Sequence, residues 1–283
     1  MDHSLDEIVA AAPIENNFLV VGQVSTTAVT NPPFVEVRNG EYNGDHVHVY
    51  VLPREQCGEV QRRTLWRIAR LAQANHANVV QVIGIGMDAS SVFVLTESTD
   101  FGTVRHHLEQ KLWFDTGASI KILHDVASGM RYLHGHEILH RALTTDTIHL
   151  SSGNVAKISN LEFARQRAAA AAMTNIGIPF YAAPEILTGA TNYTTKVDVY
   201  SFAMLIVEVV TKKEPYANVD APEATILEHV VQKHYRPVFD RSAKWPADLF
   251  DLMKECWSAD PEKRPTFDTI VPRLEAILDA VPP

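Results

Sequence analysis

Along the first hundred residues apolar and polar positions alternate in short runs, and beyond them the apolar positions fall into a helical spacing that lasts to the end of the chain. Phe18-Leu-Val-Val-Gly22, Phe34-Val-Glu-Val37 and Val47-His-Val-Tyr-Val-Leu52 read as strands, rich in β-branched and aromatic residues and bounded by turn formers. The pairs Asn39-Gly40 and Asn43-Gly44 separate the last two, since both residue types tolerate the positive φ of a tight hairpin. Val79 to Ile85 and Val92 to Thr96 supply two more strands. Between the two groups, Val60, Thr64, Leu65, Ile68, Leu71 and Ala72 recur at helical spacing, so one helix interrupts a small antiparallel sheet.

After Asp100-Phe-Gly102 the pattern changes. Ile120, Leu123, Ala127, Met130 and Leu133 share one helical face, and Val199 to Val210 is apolar nearly all round, which marks a helix buried on every side. The pattern predicts an α+β chain: an N-terminal extension over 1–17, a sheet-rich part over 18–97 and a mainly helical part over 98–283. Five alanines, Ala168 to Ala172, favour helix yet bury little, and read as a mobile loop or a short helical turn.

Composition narrows the function classes. With 46% hydrophobic residues among 283, the chain can bury a core in each part. A formal charge of -9 repels phosphate backbones and anionic membrane faces, so no nucleic-acid partner is expected. The longest apolar run, Phe202 to Val210, is broken by Glu208 and falls short of the ~18 residues of a membrane span. Met1 to Asn17 is polar and acidic, without a targeting pattern. Cys57 and Cys256 lack ligand spacing, so neither a metal site nor a disulfide is expected, and two buried thiols fit a reducing, cytoplasmic setting.

Five blocks carry a more specific signal: Tyr132-Leu-His134 with Ile138-Leu-His-Arg141, then Ala183-Pro-Glu185, Asp198-Val-Tyr-Ser-Phe202, Cys256-Trp257, and Lys263-Arg-Pro-Thr-Phe267. In this order and spacing the chain resembles the protein kinase superfamily over residues 18 to 278, with wording nearest the tyrosine kinase and tyrosine kinase-like branches. The resemblance implies a bilobal protein-kinase-like fold, with 18–97 as the small lobe and 98–283 as the large one. It also implies a buried ion pair between Glu185 and Arg264, an acceptor at Asp198 beneath the His140-Arg141 turn, and a packed internal column of Leu71, Val82, Leu161 and His140.

The positions that do chemistry in similar kinases depart from the pattern. The lysine of Val-Ala-x-Lys falls on Tyr50 and its glutamate partner on Arg67, where a stack or hydrogen bond between the two would brace the helix. The aspartate of His-Arg-Asp is Ala142, the metal-binding asparagine is Thr147, and the aspartate of Asp-Phe-Gly is Asn160, followed by Leu161 and Glu162. Val35 stands at the last glycine of the phosphate loop, behind two prolines that offer no N–H. Phosphoryl transfer relies on the lysine, on metal-holding carboxylates and on an aspartate near the accepting hydroxyl. The resemblance and its gaps together imply a domain that is not an enzyme: a pseudokinase without cofactor, acting as a scaffold or allosteric regulator on a protein partner such as an active kinase. Two other readings stay open, a nucleotide sensor without turnover and an atypical kinase or nucleotidyl transferase using Asp146, Lys157 and Glu162.

In similar kinases adenine lies between an alanine and a leucine, which here are His48 and His149. Thr96 matches the residue at the back of the pocket, and Glu97, Ser98 and Thr99 match the hinge. Two facing imidazoles would fill the adenine space and repel each other when protonated, making the packing pH-sensitive below about 6.5; alternatively His149 points elsewhere as an ordinary satisfied histidine. Thr174 and Tyr181 are phosphorylation candidates, with Tyr181 better suited to a packed role.

Overall fold

A computed structural model describes residues 3–14, 18–23, 36–72, 75–99, 101–112, 114–159, 179–190, 192–239 and 244–281. Five antiparallel strands, β1 (Phe18–Gln23), β2 (Glu36–Tyr42), β3 (Asp45–Pro53), β4 (Val82–Met87) and β5 (Ser91–Glu97), form one sheet in the order β1-β2-β3-β5-β4. Two of the expected boundaries move. Asn39-Gly40 does not turn; it pairs with His48 and Val47 inside β2, and the hairpin is made at Asn43-Gly44, where both residues have positive φ. Val79 forms a bridge to Ile158 outside the sheet, and β4 starts only at Val82. Strand alternation in β3 sends Val47, Val49 and Val51 to one face with Leu95, and Tyr50 and Leu52 to the other, where they join the main core.

Two helices lie on the sheet. The segment α1 (Leu5–Ala11) falls within the stretch read as an N-terminal extension, and α2 (Glu59–Leu71) is the expected interrupting helix, packed through Leu65, Ile68, Ala69 and Leu71. The rest is mainly helical: α3 (Val104–Glu109), α4 (Thr116–Gly135), the hairpin β6 (Ile148–Ser151) and β7 (Val155–Ile158), then α5 (Pro184–Leu187), α6 (Lys196–Thr211), α7 (Glu223–Gln232), α8 (Ala247–Cys256) and α9 (Phe267–Asp279). The all-round apolar stretch becomes α6, buried at every residue from Val197 to Val209. This is the bilobal kinase fold, a small antiparallel sheet lobe on a larger helical lobe.

The two parts are joined by main chain as well as side chains. The Val80 N–H donates to the Ile158 carbonyl at 2.8 Å, the Ile158 N–H donates to the Asn78 carbonyl at 2.9 Å, and the Asn78 side-chain amide donates to the Ala156 carbonyl at 3.1 Å. Gly129 on α4 permits this closeness, because a Cβ there would sit 2.5 Å from the Asn78 oxygen. Among the described residues no helix is long and apolar enough to cross a membrane.

Candidate functional site

The loop between α4 and β6 is held from below. Asp198, at the start of α6, accepts from the N–H of His140 at 2.9 Å and of Arg141 at 2.7 Å, and its other neighbour is His134 Nε2 at 2.9 Å. Burial opposes its charge, but the bond to His134 and these backbone donors keep its carboxyl below the ordinary range. Such anchoring holds Arg141 at φ 64, a conformation uncommon for a residue with a side chain. His140 Nε2 donates to the Ser159 carbonyl at 2.8 Å, and burial pushes its pKa down, so the ring is neutral.

The two replaced groups of this loop serve the loop itself. Ala142 is buried, and its carbonyl lies 3.0 Å from the Thr147 hydroxyl, which is equally close to the Thr144 carbonyl and accepts from the Thr144 N–H at 3.1 Å. The Thr147 oxygen is thus committed to backbone partners. Asp146 meets Arg105 Nε at 3.4 Å, and Lys157 Nζ meets the Glu97 carboxylate at 2.7 Å, so the two described candidates for relocated chemistry are each engaged in an ion pair.

Above the loop, Tyr50 and His48 share one face of β3, and His48 pairs in register with the buried Thr96. Glu97 ties the strand end down: its carboxylate accepts from the Gln81 N–H at 2.7 Å in addition to Lys157. His149 Nδ1 is 2.8 Å from the Thr99 hydroxyl, next to the hinge residue Ser98. Its pKa is brought down to about 4, first by burial and then by the nearby His48, so the structure brings the two imidazoles within electrostatic reach while His149 stays neutral. Arg67 is exposed, as suits a charged side chain, and α2 packs on the core through Leu65, Ile68, Ala69 and Leu71. Val35, Asn160, Leu161, Glu162, Thr174 and the alanine run 168–172 lie outside the described residues. Leu71, Val82 and His140 of the expected column are buried.

Farther down, Arg264 grips Glu185 with two bonds, 2.6 and 3.0 Å, and also donates to the carbonyls of Lys196 at 3.0 Å and Ser258 at 2.9 Å. A second buried cluster was not anticipated. Glu208 on α6 meets Arg105 at 2.6 Å, accepts from the Thr145 hydroxyl at 2.9 Å and takes a short hydrogen bond from Tyr181, while Arg105 also reaches Glu214 at 2.8 Å. Burial raises the pKa of Glu208 against the pull of Arg105. The signal was a glutamate breaking the apolar run Phe202 to Val210, which demands a buried cation. Tyr181 is buried and used by this cluster, so it is not a phosphorylation candidate.

A metal-bound triphosphate does not fit the described groups. The places to which the resemblance assigns an ammonium and an aspartate carry Tyr50 and Ala142, the Thr147 hydroxyl is spent on its own loop, and the His149 ring, assigned by the resemblance to the adenine side, is bonded to Thr99.

Residues 22–274 match the family described as protein tyrosine and serine/threonine kinase. The chain is 30% identical, over 98% of its length, to the RGS domain-containing serine/threonine-protein kinase A of Dictyostelium discoideum, and spans 25% of that protein. It is 32% identical to serine/threonine-protein kinase 12 of Arabidopsis thaliana, over 75% of its own length and 47% of the relative's. To the dual specificity protein kinase pyk3 of Dictyostelium discoideum it is 30% identical, over 86% of its length and 18% of the relative's. These relatives are named as kinases, and their names overturn the expectation that the chain is not an enzyme. That expectation rested on single positions, of which Val35 and Asn160 lie outside the described residues, whereas the similarity extends over nearly the whole chain.

Proposed function

This chain belongs to the protein tyrosine and serine/threonine kinase family, and on that footing we propose that it is a signalling kinase domain that works chiefly by binding a protein partner, as scaffold or allosteric regulator, and holds adenine nucleotide weakly. Its motif wording supports placing it in the tyrosine kinase-like branch, and the free, buried Cys57 and Cys256 support a cytoplasmic setting. The observation that carries the reading is the loop between α4 and β6: Ala142 and Thr147 are buried and Asp198 anchors the turn, so the protein's own hydrogen bonds hold the loop. A surface held in one conformation loses little entropy on docking a partner.

A second reading is favoured by the relatives' names: phosphoryl transfer through relocated groups, with Asp146, Lys157 and Glu162 as candidates. Transfer from labelled ATP separates the two. Under the first reading incorporation is slow and is unchanged by Asp146→Asn or Lys157→Met; incorporation lost on either change supports the second and removes the first.

A further inference from the structure

Residues 3–14 are built into the small lobe. A helix as short as α1 does not persist alone in water. It is started by a reciprocal cap, in which the Ser4 N–H donates to Glu7 Oε2 at 2.8 Å and the Glu7 N–H donates to Ser4 Oγ at 3.2 Å. Ile8 is then fully buried in the main core, where α1 packs on α2 and on β4, and the His3 ring stacks on Trp66 of α2 at 3.9 Å.

The segment continues along the open edge of the sheet. β4 is an outer strand, and the Ala12 carbonyl accepts from the Ile85 N–H at 2.7 Å while Pro13 bridges Ile85 in parallel. The two glycines flanking Ile85 make room for Ile14: a Cβ on Gly84 would lie 3.1 Å from Ile14 Cγ1, and one on Gly86 3.0 Å from Ile14 Cδ1. Glycine weakens a strand interior, so a pair of them here marks a close approach. On α2 itself, the position that the resemblance assigns to the partner of a strand lysine is the exposed Arg67, and Tyr50 stands where the resemblance assigns that lysine.

From these observations we infer that residues 3–14 form an intramolecular strap that positions α2 and covers the edge of β4, taking over from outside the bracing that a lysine–glutamate pair supplies from within the cleft. Ile8, Ser4 and Ile14 are its positioning residues.

Hydrogen exchange on the full chain tests this, read separately at the amides of α2 and Ile85 and at those of the buried helix α6. Ile8→Asp is expected to speed exchange in α2 and at Ile85 at least tenfold with α6 unchanged, Ser4→Ala a few-fold at the same amides, and Ile8→Leu not at all. Unchanged exchange in α2 for both Ile8→Asp and Ser4→Ala overturns the strap. Should Ile8→Asp unfold the whole domain, seen as equal acceleration in α6, Ser4→Ala decides: acceleration confined to α2 and Ile85 supports the proposal, and its absence overturns it.

Discussion

Thr147 donates and accepts within its own loop, and the cost of removing its hydroxyl follows from that. Thr147→Val leaves the buried Thr144 N–H without its acceptor, and we expect a loss of about 1–3 kcal/mol in urea unfolding. Glu185 faces a guanidinium that is buried on all sides, so Glu185→Leu strands a charge and is expected to cost about 3–5 kcal/mol in the same measurement. His149 makes stability depend on pH. In the fold its pKa is about 4, against an ordinary value of 6.5 that the unfolded chain regains, so the unfolded state binds the extra proton between those values. The contribution is complete above about 6.5 and is lost as pH falls toward 4; the buried, neutral His140 acts in the same direction. Melting temperatures measured from pH 7 to pH 4 should therefore fall less steeply in His149→Leu than in the parent. Several of these roles were legible from residue identity, because a charged or polar side chain in a buried motif implies a partner. The commitment of Thr147 was not, since nothing in the sequence says which way a hydroxyl turns.

At the scale of elements, legibility followed the length of the pattern. The stretch that became α6 announces itself by the nearly all-round apolar character of Val199 to Val210, and α2 by five matching positions within it, with Ala72 just past its end. By contrast α1 has seven residues and a single fully buried side chain, too little for periodicity to register, although Ser4 and Glu7 spell its cap. Asn39-Gly40 misled for the opposite reason: its turn propensity is real, but pairing across β3 outweighs a local preference. The contact of α4 with the loop at Asn78 depends on one missing methyl group. Gly129→Ala places a carbon 2.5 Å from the Asn78 oxygen and 2.7 Å from Ile158 Cδ1, and we expect a loss of about 1–3 kcal/mol in denaturant unfolding, with faster hydrogen exchange at Val80 and Ile158.

For the whole molecule, the fold was the part the motifs spelled most fully, since ion pairs such as Glu185 with Arg264 tie distant segments and tolerate little substitution. The chemistry was less legible. Replaced residues at Tyr50, Ala142 and Thr147 argued against enzymatic action, while the kinship of residues 22–274 with a kinase family, and with proteins named as kinases, points the other way. A list of substitutions reports which usual groups are missing, but it does not report what a cleft does with the groups it has. What decides the function is how this cleft handles nucleotide, with the His149 ring bonded to Thr99 and His48 close by. The most direct measurement is the thermal shift of the full chain in ATP, with and without magnesium, beside the double variant His48→Ala, His149→Leu. We expect less than about one degree of stabilisation in the parent with or without the metal, consistent with ligand concentrations below the dissociation constant, and a larger, metal-independent shift in the variant. A stabilisation of several degrees in the parent that requires magnesium contradicts the account.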